Sequence, residues 1–147
     1  MIAAIEKAPA AATVAAVLTI FYTTTLSSCT TTITKSKSPL FAVQTDTLTL
    51  GLNKMVTCEN INLDGREITT NGKPASELEV DIMNGKNIPA DNDQMRVLAK
   101  RIADYLKRAL RDPREYDSYK VLFVTKTMTN GVTTRSWVGV AFKLNEL

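Results

Sequence analysis

The stretch of residues 91–112 constrains the fold of this chain more than any other segment. Asp91 can cap a helix by accepting hydrogen bonds from the free N–H groups of its first turn, and Gln94 follows at capping-box spacing. Proline disfavours helical backbone in the residue before it, so Pro113 predicts that the helix ends at Asp112. Seven residues recur at three- and four-residue steps and form one apolar stripe: Met95, Leu98, Ile102, Tyr105, Leu106, Ala109 and Leu110. A helix cannot bury such a stripe by itself, so we predict that a sheet covers it.

The segments before this helix carry strand and turn signals. Residues 47–50 alternate between polar and apolar, which predicts a strand, and residues 56–63 are compatible with a second strand. Asp-Gly at positions 64–65 predicts a two-residue hairpin turn, and residues 71–74 predict a further turn. Residues 77–83 alternate between apolar and acidic side chains, so we expect one packed face and one wet face.

Two long strands are predicted after the helix. Residues 120–129 and 132–143 are joined by Asn130-Gly131, a strong short-range hairpin signal. The first of these strands is apolar on both faces, which indicates a central position in the sheet. We therefore predict one α+β domain over residues 41–147, in which a mostly antiparallel sheet is packed by one long helix at about residues 91–112. A C-terminal β-hairpin closes this two-layer domain.

The residue inventory excludes several kinds of chemistry. The chain has no histidine and two cysteines. It therefore has no imidazole base or ligand, no serine–histidine or cysteine–histidine nucleophile, and no four-thiolate zinc site. An enzyme of this composition would rely on carboxylates, lysines or hydroxyls. We predict no catalytic residue, no metal site and no cofactor.

The N-terminal segment differs in kind from the rest of the chain. Residues 10–26 are apolar or hydroxylated without any charge, and this length suits the core of a signal peptide better than a membrane span. The run ends in Leu26-Ser27-Ser28-Cys29, which resembles the lipobox of bacterial lipoproteins. In that class a diacylglyceryl group is attached to the cysteine thiol, and a signal peptidase cuts just before that cysteine.

The resemblance implies a membrane-anchored protein of the bacterial cell envelope. Residues 1–28 would be a cleaved signal peptide, and Cys29 would carry the lipid that contacts the membrane. Residues 29–40 would form a flexible tether. Thr30 follows the cysteine, where an aspartate is associated in some bacteria with retention at the inner membrane, so the resemblance implies the outer membrane, with the domain facing the periplasm.

Two other interpretations of the N-terminus remain open. Residues 1–28 could be an uncleaved membrane anchor, or a buried helix of the domain with Cys29 as an ordinary residue. Without lipidation, a disulfide between Cys29 and Cys58 becomes possible in an oxidising compartment.

A basic face on the predicted helix is the first candidate for function. Arg96, Lys100, Lys107 and Arg111 fall within a narrow arc, which favours an ordinary solvated helix face. The functional alternative is contact with an anionic surface.

An acidic stripe and four aromatic residues are the other candidates. Glu77, Glu79 and Asp81 could bind a cation or act as an acid–base pair, or they could be the wet face of a sheet opposite Lys120 or Lys126. Partner contact and closure of the core are equally compatible with the aromatic residues, which are Trp137, Tyr105, Tyr116 and Tyr119.

These observations predict a small binding or scaffolding domain with an envelope protein as partner. We expect no nucleic-acid partner, because stacking aromatics do not accompany the basic residues. The alternatives are an enzyme based on carboxylates or hydroxyls, and a cytosolic basic protein that binds nucleic acid.

Overall fold

A computed structural model describes residues 30–147, and the predicted signal peptide and Cys29 lie outside the described residues. The described chain combines two helices with a five-stranded, mostly antiparallel sheet, so the predicted α+β class is confirmed. The strands are β1 (Thr32–Lys37), β2 (Asn60–Thr70), β3 (Lys73–Met83), β4 (Ser118–Thr129) and β5 (Val132–Lys143), and the helices are α1 (Thr45–Asn53) and α2 (Asn92–Ala109).

The strands lie side by side in chain order, from β1 at one edge to β5 at the other. Neighbouring strands are antiparallel except β3 and β4, which are parallel. Parallel neighbours need a crossover connection, and α2 lies within it. The side chains that point toward the helices define the helix face of the sheet, and the opposite side is the open face.

The core lies between the helix face and the two helices. The parallel register places Leu78, Val80 and Ile82 of β3 beside alternate residues of β4. Complete burial of one large aliphatic side chain contributes roughly 1.5–3 kcal/mol. The other buried members of this layer include Leu48, Leu52, Ala99, Ile102, Leu106, Tyr119, Val121 and Phe123.

Helix α2 begins as predicted and ends earlier. Asp91 Oδ1 accepts hydrogen bonds from the N–H groups of Asp93 at 3.1 Å and Gln94 at 2.9 Å. The helix ends at Ala109 rather than Asp112, because the carbonyl of Ala109 accepts from the N–H of Ala42. The following residue, Leu110, is extended and forms a bridge with Phe41. The predicted long helix is therefore only partly confirmed.

The strand predicted at residues 47–50 is wrong, because these residues belong to α1. Leu48 and Leu52 are four residues apart and both fully buried, so the apolar spacing follows a helix. The hairpin turn predicted at residues 64–65 is also wrong, since both lie inside β2. Gly65 is required there for a different reason: a Cβ atom at this position would clash with the backbone carbonyl oxygen of Lys37 and with the hydroxyl of Tyr116.

Residues 32–37, which were expected within a flexible tether, form strand β1. They pair antiparallel with the second half of β2, from Lys37 opposite Gly65 to Thr32 opposite Thr70. β1 is an edge strand and its first five residues are exposed, so it shows no alternation of polar and apolar residues. Its three threonine and isoleucine residues at positions 32–34 favour extended backbone.

Both predicted Asn-Gly turns are present. Asn71 and Gly72 join β2 to β3 with φ of 51° and 77°, and Asn130 and Gly131 join β4 to β5 with φ of 51° and 79°. Positive φ at both central positions matches the right-handed twist of the strands. Beyond β5 the chain continues into a short 3₁₀ helix, Leu144–Glu146, so the C-terminal hairpin does not itself close the described chain.

Candidate interaction surface

The hairpin of β4 and β5 extends beyond the rest of the sheet. β3 pairs with β4 only as far as Met83 opposite Val124, and the β4–β5 pairing continues to Thr129 opposite Val132. We call residues 125–138 the hairpin arm, and every residue in it is exposed. Trp137 and Val138 form its base, because they lie opposite Val124 and Phe123, which still pair with β3. An isolated two-stranded ribbon is at best marginally stable in water, so contact with a partner would stabilise this segment.

The hairpin arm carries large apolar side chains on both of its faces. Met128 is 75% exposed and Trp137 65%, and both point to the open face. Val132 is 66% exposed and Val138 50%, and both point to the helix face. These are four of the nine large apolar side chains that are exposed among residues 30–147. Exposed apolar clusters of this kind mark interaction surfaces.

The charge on the hairpin arm is entirely positive. Lys126 of β4 lies directly opposite Arg135 of β5, and the arm contains no acidic residue. Like charges at directly opposite positions destabilise a strand pair. The side chains of the arm therefore suit contact with a partner more than they suit the isolated hairpin.

The predicted acidic stripe lies on the open face, and its central carboxylate is neutralised by two cations. Glu79 is only 5% exposed, and its two carboxylate oxygens lie 2.6 Å from Nη2 of Arg66 and 2.8 Å from Nζ of Lys120. Nε of Arg66 also contacts Asp64 at 2.9 Å. The expected contact with Lys120 is therefore present, and the stripe is not simply a wet face.

Asp81, the last carboxylate of the stripe, is partly buried. Burial raises the pKa of Asp81 above its ordinary value, and the negative charge of Glu79 raises it further. The cations of Arg135, Arg66 and Lys120 oppose this increase. Oδ1 of Asp81 is buried and has no hydrogen-bond partner among the described residues.

Four cavities in the described part of the chain do not coincide with these carboxylates. One, of about 450 Å³, is lined by residues that include Lys37, Glu67, Ser76 and Asp117. Those of about 300, 180 and 150 Å³ also have no wall formed by the acidic stripe. Residues 30–147 contain no cluster of three histidine, cysteine or acidic side chains that could hold a metal ion.

The predicted basic face is largely engaged within the molecule. Nζ of Lys107 donates to the backbone oxygens of Leu144 at 3.3 Å and Leu147 at 2.7 Å, and Nζ of Lys100 donates to that of Glu146 at 2.5 Å. The guanidinium of Arg96 lies 4.9 Å from the ring centre of Phe142. Of the four predicted residues, Arg111 is exposed without a side-chain contact of this kind in the described chain.

Trp137 and the three tyrosines have different environments in the structure. Tyr116 and Tyr119 are buried at 0% and 1% exposure, and burial raises the pKa of each to about 12. The hydroxyl of Tyr105 donates to the carbonyl of Thr47 at 3.3 Å and so connects α2 to α1. The tyrosines belong to the core, and Trp137 alone among the four aromatic candidates is positioned to contact a partner.

Cys58 is partly buried at the end of α1, where its thiol approaches Oδ1 of Asn53 at 3.8 Å. Burial raises the pKa of Cys58 above its ordinary value, which lowers the thiolate fraction at neutral pH. Its environment is therefore that of a small buried side chain rather than a reactive nucleophile.

Comparison with known proteins adds no relative: no protein-family model, no curated protein and no solved structure matches the chain. Neither of the helices in residues 30–147 has the length and apolar character needed to cross a bilayer.

Proposed function

We propose that this protein is a lipoprotein of the bacterial cell envelope, anchored through Cys29, whose domain binds an envelope protein with the hairpin arm. The outer membrane, with the domain facing the periplasm, is the proposed location. The exposed apolar surface of the arm, centred on Trp137, is the observation that carries the binding role. The lipobox resemblance at residues 26–29 supports the anchor.

Trp137 has the properties of an interface anchor. Tryptophan supplies a large apolar area with few rotatable bonds, and it is enriched among the residues that dominate binding energy. Truncation of such an anchor typically weakens binding by about 2 kcal/mol or more. Lys126 and Arg135 lie on the same face of the arm as Trp137, so this surface combines a large apolar side chain with two cations.

The carboxylate-based enzyme has less support than the binding role. Glu79 is held between two cations, and the cavities described above have no wall formed by Glu79 or Asp81. A general acid or base has to reach a bound substrate, and a substrate needs a concave site. Nucleic acid is also a poor fit, because one tryptophan does not form a stacking platform for successive bases.

The anchor is tested by intact mass. The full chain and a Cys29→Ala variant are expressed in bacteria, the cells are fractionated, and the products are weighed. We expect a membrane-bound product that begins at Cys29 and carries acyl mass, and we expect the variant to lose both the cleavage and the added mass. An unmodified full-length chain from both genes would refute the anchor.

The binding role is tested by photo-crosslinking in cells. A photoreactive amino acid replaces Trp137 in the hairpin arm, and the control replaces Val97, which is 62% exposed on α2. We expect a discrete covalent adduct with an envelope protein, which includes a second copy of this chain, from position 137 and not from position 97. The absence of any adduct at 137, or the same ladder of adducts from both positions, would contradict the proposal.

A further inference from the structure

The outer edge of β5 lacks the features that protect most strand edges. β5 is the last strand of the sheet, and its 12 residues pair one to one with β4 without a bulge. It contains no proline, and Arg135 is its only charged residue before Lys143. Edge strands are usually kept from pairing by short length, proline, bulges or charges. β1, at the other edge, has six residues, two of which are lysines.

The side chains along β5 form a pattern that is complementary to itself. On the open face, Arg135 and Trp137 are large, whereas Gly139 and Ala141 are small. Leu122 covers Gly139, since a Cβ atom there would lie 2.6 Å from Cδ2 of Leu122, and it would lie 3.9 Å from both the stem of Lys120 and the ring of Trp137 in the same chain. One half of the strand thus offers large side chains, and the other half offers an apolar shelf that can receive them.

We propose that the edge of β5 pairs antiparallel with β5 of a second copy of this chain, about a two-fold axis at Val138. This inference rests on the proposed binding role of the hairpin arm and names its partner. An axis perpendicular to the sheet keeps open face beside open face, so that the two five-stranded sheets become one continuous sheet.

The register centred on Val138 matches each large side chain with a small one. Trp137 lies opposite Gly139 of the second copy and rests on its Leu122, and Arg135 lies opposite Ala141. Lys143 lies opposite Thr133, so this register places no like charges directly opposite each other. A two-fold interface requires a patch that is complementary to itself, and this strand meets the requirement. An unrelated acidic strand would pair with the cations of the arm, but it would not account for the match between large and small side chains along β5.

A symmetric disulfide tests the pairing and its register. In the full chain with Cys29→Ser and Cys58→Ser, one variant carries Val138→Cys and the control carries Thr134→Cys, which is exposed on the same strand and face. Directly opposite Cα atoms lie about 4.5–5.5 Å apart, within the range for a disulfide. The two Thr134 positions would lie roughly 27 Å apart, because eight residues separate them along the strand direction.

Under mild oxidation we expect the Val138→Cys variant to form a covalent dimer and the Thr134→Cys variant to stay monomeric. Equal crosslinking of both variants would indicate random collision or another register, and crosslinking of neither would indicate no pairing. Either result would overturn the proposal.

The oligomer mass of the full chain in detergent gives an independent readout. We expect the unmodified chain to form dimers, and we expect Val138→Lys to raise the dissociation constant of the dimer at least tenfold. The matched Val97→Lys variant should keep the dissociation constant of the unmodified chain. A monomeric chain, or a dimer that resists Val138→Lys, would overturn the pairing. If the chain is monomeric but position 137 crosslinks to a different protein in cells, the self-pairing fails and the proposed binding role stands.

Discussion

Two buried tyrosines differ in one hydrogen bond. The hydroxyl of Tyr119 donates to the carbonyl of Pro113 at 2.9 Å, whereas the hydroxyl of Tyr116 is buried without a partner among the described residues. A buried polar group without a partner costs about 1–3 kcal/mol, while a satisfied hydrogen bond contributes about 1 kcal/mol. The same chemical change at the two positions should therefore have opposite effects.

We expect Tyr119→Phe to lower the free energy of unfolding by about 1 kcal/mol, and Tyr116→Phe to leave it unchanged or raise it. Urea denaturation of the two variants beside the unmodified chain measures both effects. Equal losses at the two positions would mean that the hydroxyl of Tyr116 has a partner in solution.

The same tyrosines predict a loss of stability in alkali. Their pKa is about 10 in the unfolded chain and is raised to about 12 in the fold, because burial disfavours the phenolate. A raised pKa means that this contribution to stability is fully present below pH 10 and is lost as the pH rises toward 12. Tyr116→Phe should therefore make the decline between these two pH values shallower than in the unmodified chain.

At the scale of elements, α2 holds the C-terminal turn as well as the sheet. The sequence indicates that its basic arc is either solvated or in contact with an anionic surface, yet Lys100 and Lys107 donate to backbone oxygens of residues 144–147. Arg108, one residue further along the helix, is exposed and lines an open groove with Val43 and Tyr105. Neighbouring cations on one helix thus have different roles.

Lys107→Met should separate these roles, because methionine keeps the apolar stem and removes the ammonium donor. We expect the free energy of unfolding to fall by about 1 kcal/mol, since the nitrogen is only partly buried and donates two hydrogen bonds. Arg108→Met, at an exposed position, should change it by less than about 0.5 kcal/mol. Chemical denaturation measures both, and an equal change in the two variants would indicate that the contacts of Lys107 do not stabilise the fold.

For the whole molecule, the features that could be predicted from the sequence are those that depend on residues close together in the chain. The cap at Asp91 and the two Asn-Gly turns each depend on neighbours in sequence, and each is present. Residues 77–83 also lie in a strand as predicted, although Glu79 on the predicted wet face is buried. The alternation at residues 47–50 fits both a strand and a helix, because Leu48 and Leu52 are also one helical turn apart.

Long-range contacts account for what sequence reasoning missed. Gly65 is needed because the carbonyl of Lys37 and the hydroxyl of Tyr116, both far away along the chain, leave no room for a Cβ atom. β1 is a strand because β2 offers it an edge. The pairing of Glu79 with both Arg66 and Lys120 depends on the register of three strands. Trp137 lies on the open face because the register places it opposite Val124, and this register cannot be read from β5 alone.

The position of β1 limits where an anchored domain could search for partners. Only Thr30 and Thr31 separate Cys29 from the first strand of the described residues, so the chain could span at most about 11 Å between Cys29, if it is acylated, and Thr32. A linker this short would allow the domain little rotation and little movement away from the bilayer. The sheet would then stay close to the membrane surface, and any protein that binds to it would have to do so next to the bilayer.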